Sequence, residues 1–105
     1  MDISKRDWKL FQKNIGDWQE SYIEKLNVEY IKILEGVGNP SEKFWQLEKR
    51  IKADKKHCGV LIETRKQNLP FDLVSLIKEG VIGFENIGIF SNDLQEVVRF
   101  LTERN

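Results

Sequence analysis

From Ser4 to Glu35 the chain carries one helical pattern, the longest in the sequence, and the rest must be arranged around it. Trp8, Phe11, Ile15, Trp18 and Tyr22 recur at spacings of three and four, which sets them on one stripe of an α-helix. The stripe drifts onward to Leu26, Tyr30, Ile33 and Leu34, and Ile23 and Ile31 widen it. That width predicts two packing neighbours. Lys13, Glu20 and Lys32 mark the charged far face. Ser4 is the expected N-cap, with Asp7 in the reciprocal position of a capping box.

Gly16-Asp17 is the one place where this element could divide. Ile15 and Trp18 stay in phase across it, and a glycine inside a helix costs only about 1 kcal/mol. One helix is therefore expected, bent if anywhere at Gly16. At ~1.5 Å per residue it is roughly 48 Å long. That exceeds the width of a compact domain of this size, so one end should project or meet a second subunit. The expected division falls near Gly16. The half after it packs the domain; the half before it projects, with Trp8 and Phe11 as an exposed patch and candidate partner surface.

Gly36-Val37-Gly38-Asn39-Pro40 breaks the pattern. Asn39 reads as an N-cap, Pro40 as the first helical residue and Glu42 as the capping partner. The second helix places Phe44, Leu47, Ile51 and Cys58 on an inward face, with Trp45 at its edge. A short third helix is expected from near Gly59 through Val60-Leu61-Ile62, stopped by Leu69-Pro70. Pro70 and Asp72 open the next helix, which uses Phe71, Leu73, Val74, Leu76 and Ile77. Gly80 closes it, with Val81 folding back onto Leu76. Residues 81–90 are too apolar for a solvated loop. They read as a tight connector with one helical turn near Glu85–Ile87, or else a small hairpin. The last helix starts at Ser91 or Asn92 and uses Leu94, Val97, Val98 and Leu101. Residues 1–105 thus read as a single all-α domain, a bundle of about five helices with one long N-terminal helix and shorter ones packed on it.

Composition limits function more than it defines it. The 105 residues carry 17 basic and 17 acidic side chains, so net charge gives no sign of a nucleic-acid or membrane partner. Cys58 stands alone and cannot form an internal disulfide, and neither a signal peptide nor an apolar run long enough to span a membrane is visible. A cytoplasmic location is the expectation. His57 adjoins Cys58, but neighbours on a helix point ~100° apart, which does not suit a thiolate–imidazole pair. No second His or Cys offers a zinc set. Gly36-Val37-Gly38 lacks the lysine and preceding strand of a phosphate loop. No catalytic, cofactor-binding or metal residue is therefore nominated, and an enzyme is not expected.

Lys49, Lys52 and Lys56 share a helical face and form a candidate anion-binding surface, able to attract phosphates without reading bases. Three readings stay open. The first is a non-enzymatic protein–protein interaction or regulatory module, with a homodimer through the first helix as one form. The second is a weak, sequence-independent nucleic-acid binder using those lysines. The third is a small-molecule binder with a pocket under Trp18, Tyr22 and Trp45.

The segments Gly16-Asp17-Trp18-Gln19-Glu20, Gly38-Asn39-Pro40-Ser41-Glu42-Lys43-Phe44-Trp45 and Leu76-Ile77-Lys78-Glu79-Gly80-Val81-Ile82 resemble those of small uncharacterised soluble helical proteins of Gram-positive bacteria, some labelled "multidrug transporter". The resemblance extends over most of the chain and implies a bacterial helical domain, but no activity. The transporter label conflicts with a sequence that has no membrane-length apolar run.

Overall fold

In the computed structural model, which describes residues 1–104, Lys5–Glu35 is one uninterrupted helix, α1. The Ser4 hydroxyl caps it, accepting from the Asp7 N–H at 3.0 Å. The helix runs straight through the sequence position of Gly16, which is exposed with open space around it.

The chain then reverses through Gly36–Asn39. Gly38 has φ +139°, a region that favours glycine. The Asn39 side chain accepts from the Glu42 N–H at 2.9 Å, and Pro40 opens α2, Pro40–Asp54. This helix packs on the C-terminal half of α1 as a two-helix hairpin.

Residues 55–60 close α2 through turns. The His57 N–H donates to the Asp54 carbonyl, and the Val60 and Leu61 N–H groups both donate to that of His57. The short helix expected from Gly59 does not form: 61–65 are irregular, and only a 3-10 turn at Lys66–Asn68 precedes the next helix. Gly59 explains part of this. It is pressed so closely between Tyr22 and Val81 that an added Cβ would overlap the tyrosine ring. The residues that follow include β-branched Val60, Ile62 and Thr64, which favour helix weakly.

The third helix, α3, is Leu69–Lys78, with Pro70 in its first turn. Gly80, at φ +75°, ends it: its N–H donates to Ile77 O at 3.1 Å, and the Val81 N–H to Leu76 O at 2.9 Å. Residues 84–89 form a 3-10 turn, the helical option for this connector. Ser91 caps α4, Asn92–Glu103, accepting from the Leu94 N–H. The described residues contain no strand.

The main core lies at one end of the molecule. Phe11, Leu69, Leu73, Leu76, Ile87, Leu94 and Val98 are fully buried there, each contributing on the order of 1.5–3 kcal/mol. Trp8 stacks on Phe11 at 5.8 Å, and Trp18 meets the same ring edge-on at 6.2 Å. Asp7 is buried beneath them. Its carboxylate accepts from the Ser91 N–H at 2.9 Å and the Ser91 hydroxyl at 2.6 Å, joining the first turn of α1 to the start of α4.

The division of α1 is thus the reverse of the sequence expectation. The half before Gly16 packs the domain, and the half after it projects with α2. Phe11 is 0% exposed and Trp8 half-buried, so they do not form the expected exposed patch. Length explains the outcome. At ~1.5 Å per residue, α3 and α4 reach only about 15–18 Å along a helix of 31 residues, and the Asp7–Ser91 clasp fixes them at its N-terminal end. The molecule measures 53 × 28 × 21 Å. Its radius of gyration is 16.6 Å, against ~13 Å for a compact 100-residue domain.

Candidate functional site

The projecting hairpin holds little core of its own. In its half of α1 only Leu26 is buried, and in the 15 residues of α2 only Asp54. A helix this short is marginal without a packed face. Here the face exists, but half of it is open.

One edge of the hairpin is closed by charge. The Arg50 guanidinium donates to Glu29 Oε2 at 3.0 Å and to Asp54 Oδ2 at 3.0 Å, and it lies 5.9 Å from the Tyr30 ring centre. The Tyr30 hydroxyl donates to the same Asp54 oxygen at 2.6 Å. The opposite edge is apolar and open. At ~100° per residue, Ile23 and Leu34 fall on one stripe of α1, and Phe44 and Ile51 on the matching stripe of α2. Because the helices run antiparallel, both stripes face the same way. Two clefts follow this surface. One of about 420 Å³ is lined by Phe44, Leu47, Glu48, Ile51, Lys52 and Lys55. The other, of about 400 Å³, shares Phe44 and Leu47 and adds Leu34 and Pro40. A third hollow, towards the base, brings Ile23, Leu26 and Tyr30 together with Ile51 and Val60.

Exposure is high for such residues: Ile31 53%, Leu34 49%, Phe44 61%, Trp45 63% and Ile51 36%. Phe44 and Trp45 meet edge-on, with ring centres 5.0 Å apart. The core end of the molecule does not cover this face. It packs on the α1 stripe of Phe11 and Trp18, roughly 120–160° around the helix from Ile23 and Leu34.

A polar joint ties the hairpin to the core. The Tyr22 hydroxyl and His57 Nδ1 are 3.0 Å apart, and Gln19 Nε2 donates to the Cys58 carbonyl at 3.1 Å. The Cys58 N–H and Sγ–H both donate to Glu79 Oε2, at 2.8 and 2.6 Å. Burial pushes the Cys58 thiol up to about 12, helped by its bond to Glu79 and that carboxylate's charge. It is a poor nucleophile at neutral pH. His57 faces Tyr22 and Cys58 faces Glu79, so the adjacent pair points in two directions. Among the described residues no three His, Cys, Asp or Glu side chains gather as a metal set.

Lys49 and Lys52 are exposed on the outer side of α2; Lys56 is exposed too, but lies beyond the helix end, in the turn. Trp18 is engaged with Phe11 at the core, whereas Trp45 stands exposed on α2 against Phe44. Phe44 and Ile51, expected on an inward face, are exposed instead. The sequence did carry a signal for the open face. Apolar residues continue to Leu34 on α1, while the elements after α2 are too short to cover both ends of so long a helix. No protein-family model, curated protein or solved structure matches the chain.

Proposed function

We propose that this protein is a docking module whose working part is the α1–α2 hairpin, and that the open apolar face is where another protein chain seats. The observation carrying this reading is the exposure of Leu34, Phe44 and Ile51 along one edge of a hairpin that buries only Leu26 and Asp54, with Trp45 exposed beside Phe44. Exposed apolar patches beyond a few hundred Å² are uncommon on monomers and mark interaction sites. Aromatic anchors ringed by charge are the usual energetic centre of such sites. The joint of Tyr22, His57, Cys58 and Glu79 serves as the base that holds the hairpin at a fixed angle to the core. A photo-crosslinking side chain at Phe44 tests the reading in living cells, with one at Gln12, exposed at the core end, as the control. Docking predicts discrete protein adducts, to this chain or another, from position 44 and not from 12. The absence of any protein adduct from position 44 would contradict it.

A further inference from the structure

Resting on that reading, we infer that the occupant is a second copy of this chain, joined face to face with a two-fold axis running along the length of the hairpin, so that two hairpins complete an antiparallel four-helix bundle. The pattern of charge around the face argues for this copy and this axis. The outer margin of the face on α1 is acidic, with Glu20 and Glu24; that on α2 is net basic, with Lys52 and Lys55 flanking Glu48. All five are exposed. The ion pairs among the described residues are Arg50–Glu29, Arg50–Asp54 and His57–Asp54, none of which involves them.

Within one hairpin, Tyr30 is level with Asp54 and Glu29 with Arg50; counting back along the antiparallel helices, Glu24 stands at the height of Lys55 and the turn that follows it. A two-fold parallel to the hairpin preserves height and lays α1 of one copy on α2 of the other. Glu24 then comes level with Lys55 of the second copy, with Lys52 a turn to one side of that height and Glu20 a turn to the other. Ile31 comes level with Ile51, and Leu34 with Leu47. Every helix is antiparallel to both neighbours, as in an up-down-up-down bundle. The other face-to-face two-fold, perpendicular to the helices, lays α1 on α1 and α2 on α2, so that neither Glu20 nor Glu24 meets Lys52 or Lys55.

The apolar area is of the right order. Phe44, about three-fifths exposed, together with Ile31, Leu34 and Ile51, presents on the order of 400 Å² per chain. That is about half of the ~800 Å² per partner of a standard interface, and Trp45 and the charged margins lie around it. The core end, on the far side of α1 from this face, leaves room for the second copy.

Sedimentation equilibrium with three variants decides the matter. The wild type is expected to dimerise as concentration rises through the micromolar range. Phe44→Glu is expected to stay folded by circular dichroism and to raise the dimer Kd by at least about 30-fold, as loss of a central anchor does. Glu20→Lys/Glu24→Lys and Lys52→Glu/Lys55→Glu should each be weakened alone. Mixed together they should form a heterodimer, because both contacts then pair opposite charges. A strictly monomeric wild type at high micromolar concentration would overturn the inference, as would a dimer indifferent to all three variants or a mixture that fails to recover association. A monomer whose Phe44 position still crosslinks to a different protein would remove the second copy as occupant and leave the docking reading standing. No adduct at all would remove both.

Discussion

The Tyr30 hydroxyl donates to Asp54 Oδ2 at 2.6 Å, and that bond is the centre of the hairpin's own cohesion. Asp54 is the only buried residue of α2, and Tyr30 and Arg50 are its hydrogen-bond partners. Tyr30→Phe is therefore expected to destabilise by about 1.5 kcal/mol, the lower end for a hydrogen bond to a charged group. The bond also has a pH signature. Burial first, then the bond and the charge of Asp54, push the Tyr30 hydroxyl up to about 12 from its ordinary 10. Above pH 10 the unfolded state releases this proton and the folded state retains it. The contribution is thus present below pH 10 and is lost as pH rises towards 12. Denaturant titrations across this range should show that loss in the wild type and a shallower one in Tyr30→Phe.

Asp7 and Ser91 predict a larger effect at the other end. Ser91 both caps α4 and donates twice to the buried Asp7 carboxylate. Ser91→Ala removes the cap and one of those bonds, and should cost about 2–3 kcal/mol. Asp7→Ala leaves the Ser91 amide without its acceptor and should cost about 3 kcal/mol, since each bond to a charged group contributes roughly 1.5–3 kcal/mol. Urea unfolding followed by far-ultraviolet circular dichroism measures both.

Two glycines should respond in opposite directions. Gly16 lies inside α1 with nothing within 4 Å of an added Cβ. Gly16→Ala should stabilise by about 0.5–1 kcal/mol. Gly59 has no such room: its Cβ would overlap the Tyr22 ring and Val81. Gly59→Ala should destabilise by about 1–3 kcal/mol, as overpacking does. Thermal melts of the two variants provide the comparison.

Asp72 supplies an acid-side signature. Its Oδ2 is buried without a hydrogen-bond partner, and burial pushes the carboxyl up to about 6 from 3.8. Between those pH values the unfolded state loses the proton and the folded state keeps it. Stability from this group is therefore full below pH 3.8 and falls as pH rises through 6. Asp72→Asn should remove that fall and leave the protein more stable at neutral pH, measured by denaturant midpoints from pH 4 to 7.

How much of this was legible depended on how local the cause was. The Ser4 and Asn39 caps, Pro40, the Gly80 terminator and the helical turn near Glu85–Ile87, the first of two options for that connector, follow from side chains acting within a few residues, and they stand. Continuity through Gly16 followed from phase. The failures arose from tertiary placement. A helical stripe says which residues share a face, but nothing about which half of that face will be covered. Phe11 and Phe44 sit on equally regular stripes. One is buried in the core at the end where the Asp7–Ser91 bonds tie α1 to the start of α4; the other is open because no remaining element reaches it. The irregular 61–65 segment depended on Gly59 crossing Tyr22, a contact far apart in sequence.

The central claim is that α2 gains its missing packing from a second copy of this chain. Hydrogen–deuterium exchange of α2 at several protein concentrations tests it most directly. The amides of residues 45–53 should exchange quickly in dilute solution and become protected as concentration rises, while those of α3 and α4 stay unchanged. Protection of α2 that equals that of α3 at every concentration would contradict it.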